Sequence, residues 1–148
     1  MTLTVDRQVT SLEISKKLEE LGVKQESLFY WVHDHVNDIW EIVIDFNCNG
    51  MGRNYDWNGK ISAFTVSELG EMLFKSKVNC RSRSIQDLLP QYWSNHNKWE
   101  IHCTHYYNEK GNQVVDLKID IIANTEADAR GKMLIYLIEN GLLKKENV

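Results

Sequence analysis

The chain has 148 residues, 43% hydrophobic and 10% aromatic, a composition that supports one buried core and excludes a disordered tail or linker protein. Its net charge of −4 argues against a dedicated nucleic-acid binder, which is ordinarily basic. No apolar run approaches the ~20 residues of a membrane span, the first residues lack an export signal, and Pro90 alone marks no linker, so the expectation is one cytoplasmic domain over 1–148, not in a membrane.

In chain order, Ser11 to Leu21 reads as a short helix, with Leu12, Leu18 and Leu21 on one side, Ile14 nearby and Gly22 ending it. Leu28 to His33 and Ile39 to Phe46 alternate like strands, and Asp34-His-Val-Asn-Asp38 suits a five-residue hairpin loop. Val32 then faces Trp40, Tyr30 faces Ile42 and Leu28 faces Ile44 on the core side. Phe29 and Trp31 fall on the opposite face, with Glu41 and Val43 beside them.

Asn47 to Gly59 is a loop by its Gly and Asn content. Thr65-Val-Ser-Glu68 is a capping box that opens a helix of about two turns through Leu73. Lys75 to Tyr92 shows no period, apart from a short helical turn at Ser84 to Leu89 stopped before Pro90. Lys98 to Tyr107 and Val114 to Ile121 alternate across the turn at Asn108 to Asn112. If Tyr107 pairs with Gln113, then His105 meets Val115, Cys103 meets Leu117, Ile101 meets Ile119 and Trp99 meets Ile121 on the inward face. Thr125, with Asp128 three residues on, caps a last helix from about Glu126 to Glu139. It places Ala127, Gly131, Leu134 and Ile138 on one face and ends near Gly141.

The expected fold is α+β: a mainly antiparallel sheet of about four strands in two hairpins, with three helices packed on one face in the order αββ-αββ-α. The first and last helices supply much of the core.

Three chemistries are open to these elements. Stacking rings beside cations are what single-stranded nucleic acid needs. Phe29 and Trp31 share a strand face, Arg53, Tyr55 and Trp57 follow in the loop, and Lys75, Lys77, Arg81 and Arg83 come next. The span from Asn47 to Gln86 carries six basic and three acidic residues, net +3, leaving −7 on the rest. Against this, a helix or the long loop covering Phe29 and Trp31 makes them a second small core. For metals, His33-x-His35 and His102-Cys103-x-His105 offer ligands, but no C-x₂₋₄-C pair occurs, His102 faces away from Cys103 and His105, His33 points outward and His35 lies in a turn. No metal or other cofactor is therefore expected. For catalysis, no P-loop, G-x-S-x-G, G-x-G-x-x-G or H-E-x-x-H motif is present. Cys103, inward on a strand, behaves as a small apolar residue. With no export signal, Cys48, Cys80 and Cys103 are expected to be reduced thiols.

Three blocks carry a resemblance: Leu12-Glu-Ile-Ser…Leu18…Leu21-Gly-Val-Lys-Gln-Glu-Ser-Leu-Phe-Tyr-Trp-Val32, then Ser62-Ala-Phe-Thr-Val-Ser-Glu-Leu-Gly-Glu-Met-Leu73, then Asn124-Thr-Glu-Ala-Asp-Ala-Arg-Gly-Lys-Met-Leu-Ile-Tyr-Leu-Ile-Glu-Asn-Gly-Leu-Leu143. They cover somewhat over a third of the chain and resemble a group of small uncharacterised proteins of bacteriophage and prophage genomes. The resemblance implies a phage-derived protein in a bacterial host cell and brings no functional residues with it. The expected function is non-enzymatic binding to a host or phage protein, or to a second copy as a homodimer. Single-stranded nucleic acid is the alternative ligand.

Overall fold

The computed structural model describes residues 4–44, 54–75, 78–84, 98–107 and 113–148. The elements run α1 (Leu12–Glu20), β1 (Phe29–Asp34), β2 (Ile39–Ile44), β3 (Ile61–Ser62), α2 (Val66–Lys75), β4 (Val78–Ser84), β5 (Trp99–Tyr107), β6 (Gln113–Ala123) and α3 (Glu126–Glu139), with 3₁₀ turns at Val5–Arg7 and Lys145–Asn147. The α+β class with antiparallel pairing is as expected. The single four-stranded sheet is not: two antiparallel sheets of three strands form, ordered β2-β1-β3 and β4-β5-β6. Each expected hairpin gained a third strand that the sequence did not announce.

β4 shows why such strands escape a hydrophobic pattern. Arg81 and Arg83 alternate outward as a strand requires, but the half-buried positions between them are Cys80, Ser82 and Ser84. The inner face is small and polar, so the apolar period is missing although the geometric one is present. The expected turn at Ser84 to Leu89 overlaps β4 only at Ser84 and otherwise lies outside the described residues.

The first hairpin is displaced by one residue from its expected register. Val32 pairs with Glu41, Tyr30 with Val43 and Trp31 with Ile42, because Asp34 stays in β1 opposite Ile39 and the turn shrinks to four residues. Asp34 makes that turn itself. Its buried carboxylate accepts from Val36 N at 2.8 Å, from Asn37 N at 3.4 Å and from Asn37 Nδ2 at 2.6 Å. Asp38 closes the turn in the left-handed region, at φ 54°. A slip of one exchanges partners across the faces. Tyr30 and Val32 are buried with Val43, while Phe29 and Trp31 share their face with Ile44 and Ile42.

The second hairpin keeps its predicted starting pair, Tyr107 with Gln113, and then drifts by two residues through bulges near Cys103/His105 and Tyr106/Tyr107. A shift of two preserves which residues face inward. Ile101 faces Ile121 and Cys103 faces Ile119, with Ile101 and Cys103 buried.

Of the helices, α2 and α3 pack on β4-β5-β6, while α1 packs on α3 and on β3 of the other sheet. Leu18 of α1, Leu69 of α2, Ile101 of β5 and Met133, Leu134 and Leu137 of α3 form the main core and are essentially inaccessible. Each such side chain contributes about 1.5–3 kcal/mol through burial. At α2 the capping box is complete: Thr65 N donates to Glu68 Oε2 at 2.7 Å and Glu68 N donates to Thr65 Oγ1 at 3.2 Å. At α3 it is not reciprocal. Asp128 N donates to Thr125 Oγ1 at 3.1 Å, but the Asp128 carboxylate turns away to accept from Ser11 N at 2.7 Å, at the start of α1. One carboxylate thus serves two helix N-termini, where negative charge is favoured.

Candidate functional site

The aromatic residues singled out from the sequence divide between the two faces of β2-β1-β3. Tyr55 and Trp57 pack over Tyr30, Val32 and Val43, forming a small separate core with their rings 6.1 Å apart. The Tyr55 hydroxyl donates to Glu41 Oε2 at 2.7 Å. That bond, with burial and nearby negative charge, pushes the phenol up from its ordinary value. Phe29 and Trp31 lie on the other side of the sheet, half-buried. The Trp31 indole N–H donates to Thr10 O at 3.0 Å, which fixes the ring against the chain entering α1. The loop therefore covers the opposite face from the one expected, and the four rings form no common stacking platform.

The cations are equally dispersed. Lys75 is exposed at the end of α2, while Arg81 and Arg83 are exposed on β4, in the sheet that lacks Phe29 and Trp31. Arg83 is paired with Glu100 at 2.5 Å. Arg53 and Lys77 lie outside the described residues. Two other lysines find rings: Lys60 Nζ sits 4.2 Å from the Tyr30 centroid and Lys16 Nζ 4.8 Å from that of Trp40.

The cysteine expectation is overturned. Cys80 and Cys103, directly opposed on β4 and β5, form a disulfide. Adjacent strands bring such a pair within bonding reach, with Cα atoms 4.2 Å apart. Structural disulfides are rare in a reducing cytosol, so the bridge removes one support from a cytoplasmic setting. Cys48 lies outside the described residues. His102 faces away from Cys103, as expected, and is bonded to Asp120 across the strand pair. No helix among the described residues is long and apolar enough to cross a membrane.

The surface that the sequence reading missed lies on α2. Leu69 and Leu73 point into the core, and Phe74, one position further around the helix, is 87% exposed. It borders an open depression of about 500 Å³ lined by Ser67, Gly70, Glu71, Phe74, Lys75 and Arg130. Arg130 reaches this depression from α3. Arg130 donates from Nη2 to Glu126 Oε1 at 2.7 Å and to Ser82 Oγ at 3.0 Å, tying α3 to β4 beneath α2. The signal was available in principle: a large apolar residue adjacent to Leu73 and off the Leu69/Leu73 stripe has no core to enter.

No family model, no curated protein and no solved structure matches this chain.

Proposed function

We propose that this protein is a non-enzymatic binding protein that acts through protein–protein contact, with Phe74 and its bordering depression as the docking surface. The single observation behind this reading is Phe74 itself, an aromatic side chain 87% exposed at the end of an ordered, capped helix. Burying such a ring under a partner contributes about 1.5–3 kcal/mol, which is the size of an interface hot spot. Lys75, Arg130 and Glu71 supply a charged rim that can fix the register of a partner. On the strength of the three resembling blocks, we place the protein among small phage or prophage accessory proteins, with a host or phage protein as partner. Nucleic-acid binding is not advanced, because among the described residues the rings and cations it needs stand on different faces and different sheets.

The test is affinity capture from host cells with the wild-type chain and with Phe74→Asp. The substitution should change stability by no more than about 0.5 kcal/mol, because the side chain is exposed. The expected result is a stoichiometric protein partner retained by wild type and lost with the variant. Equal retention by both, or retention by neither, refutes the proposal. A concentration-dependent dimer that Phe74→Asp dissolves would identify the partner as a second copy.

A further inference from the structure

We infer that His33 and His35 form a two-imidazole clamp for a divalent transition-metal ion of the Zn²⁺ or Cu²⁺ kind at the tip of the β1–β2 hairpin. This inference is independent of the Phe74 surface.

The geometry begins in the turn. Because Asp34 remains in β1 and its carboxylate holds Val36 and Asn37, the residues on either side of it are brought toward one another. His33 is held in the strand, with its carbonyl accepting from Asp56 N at 3.0 Å, and the backbone N–H of His35 donates to Asn54 O at 2.9 Å. The two rings meet edge to face, with centroids 5.0 Å apart and planes at 78°. Their Nδ1 atoms lie 3.2 Å apart. Two imidazole nitrogens at the usual ~2.0–2.1 Å from a tetrahedral ion stand about 3.3 Å from each other. The spacing already present is therefore the spacing such an ion requires.

The tautomers fit as well. Asp38, held in its left-handed turn position, places Oδ1 3.0 Å from His33 Nε2. A carboxylate there keeps the proton on Nε2 and leaves the Nδ1 lone pair of His33 free to accept, the usual arrangement behind a metal-bound histidine. With the proton of His33 on Nε2, the contact between the two Nδ1 atoms requires His35 to carry its proton on Nδ1 and donate. Metal binding requires both Nδ1 lone pairs to face the ion, with the N–H of His35 on Nε2. Trp40, with its ring 5.2 Å from that of His33, buttresses the clamp from the strand opposite.

Asp34 is not a third ligand, since Val36 and Asn37 occupy both of its oxygens. Among the described residues no group of three or more His, Cys, Asp or Glu side chains converges. Among the described residues, two ligands are supplied and the remaining positions are left to water. Imidazole donors select borderline ions over Mg²⁺ or Ca²⁺.

The experiment is calorimetric titration of the full chain with Zn²⁺ at neutral pH, for wild type, His35→Ala, Asp38→Asn and His102→Ala. His35 is exposed, so its removal leaves the fold intact. The expected result is one ion per wild-type chain, no saturable binding by His35→Ala, wild-type affinity for His102→Ala, and a loss on the order of 10–100-fold for Asp38→Asn. A wild-type chain that takes up no Zn²⁺, or a His35→Ala chain that binds as wild type does, overturns the proposal. Unchanged affinity in Asp38→Asn overturns the tautomer argument. Cu²⁺ provides a second readout, because quenching of tryptophan emission should weaken in Trp40→Phe and disappear in His35→Ala.

Discussion

Replacing Gly131 with Ala should destabilise the protein, against the ordinary expectation for a glycine inside a helix. In an open helix, Ala is favoured over Gly by about 0.8–1.0 kcal/mol. Gly131, however, lies where α3 crosses α1. A β-carbon built there would stand 2.6 Å from Ile14 Cγ2 and 3.2 Å from Thr10 Cγ2. Carbon atoms in contact prefer about 3.5–4.0 Å, so α1 must retreat by close to an ångström. Thr10 cannot follow freely. Its hydroxyl pairs with Ser15 Oγ at 2.7 Å and accepts from Phe64 N at 3.0 Å, and its carbonyl holds Trp31. Overpacking of this kind costs about 1–3 kcal/mol. Set against the propensity gain, the net loss should reach up to about 2 kcal/mol. Gly70→Ala is the internal control. The new methyl there meets only the far end of the Arg130 guanidinium, a flexible side chain that can shift at some cost to its bonds with Glu126 and Ser82 while α2 gains helix propensity. Urea denaturation of the three chains decides the matter. The expected order of midpoints, at constant slope, is Gly70→Ala at or above wild type and Gly131→Ala below it. A Gly131→Ala chain as stable as Gly70→Ala would refute the close approach of α1 and α3.

Two further outcomes follow from the structure. Alkylation of the unfolded but unreduced chain should label one cysteine, and reduction should lower stability by about 3 kcal/mol through the loop that the Cys80–Cys103 bridge closes across 23 residues. Three labels without reductant, or a midpoint indifferent to reductant, would contradict the bridge. The bond from Asn37 Nδ2, then that from Val36 N, holds the Asp34 carboxyl below its ordinary value of 3.8. A depressed carboxylate contributes stability above the unfolded value and loses it as pH falls through the folded value. Unfolding followed against pH should therefore show an acid loss beginning near that ordinary value and continuing below it. Asp34→Asn should flatten the loss, and an unchanged acid limb would show that Asp34 carries no linkage.

What could be read in the sequence was whatever local chemistry dictates by itself. The Thr65-Val-Ser-Glu68 box, the Thr125 cap, the left-handed glycines at 22 and 141 and the Ala127/Gly131/Leu134/Ile138 stripe all stand where the residues placed them. What escaped depended on competition between neighbours. The register of β1 and β2 turned on whether Asp34 joined the strand or the loop, a choice its side chain makes through bonds to Val36 and Asn37. β4 escaped because Cys80, Ser82 and Ser84 give its inner face no apolar period, and the bulges in β5–β6 leave no mark in the alternation. As for sites, the sequence marked His33-x-His35 but could not show the rings meeting, and it gave no weight to Phe74. It grouped Phe29, Trp31, Tyr55 and Trp57 by proximity along the chain, whereas the sheet sorts them to opposite sides.

The carboxylate of Asp128 and the nitrogen of Ser11 are 117 positions apart in the chain. Around that bond, Ile14 and Leu18 from the first helix enter the same core as Met133, Leu134 and Leu137 from the last. On a ribosome, where the chain emerges from its N-terminus at ~5–20 residues per second, α1 is exposed long before its partner helix exists. The β1–β2 hairpin can form early from neighbours in sequence, but the main core must wait for α3. A nascent chain arrested before Glu126 should thus remain open to proteolysis, because a hairpin without its core is marginal in water, and protection should arrive once the last helix is free of the exit tunnel.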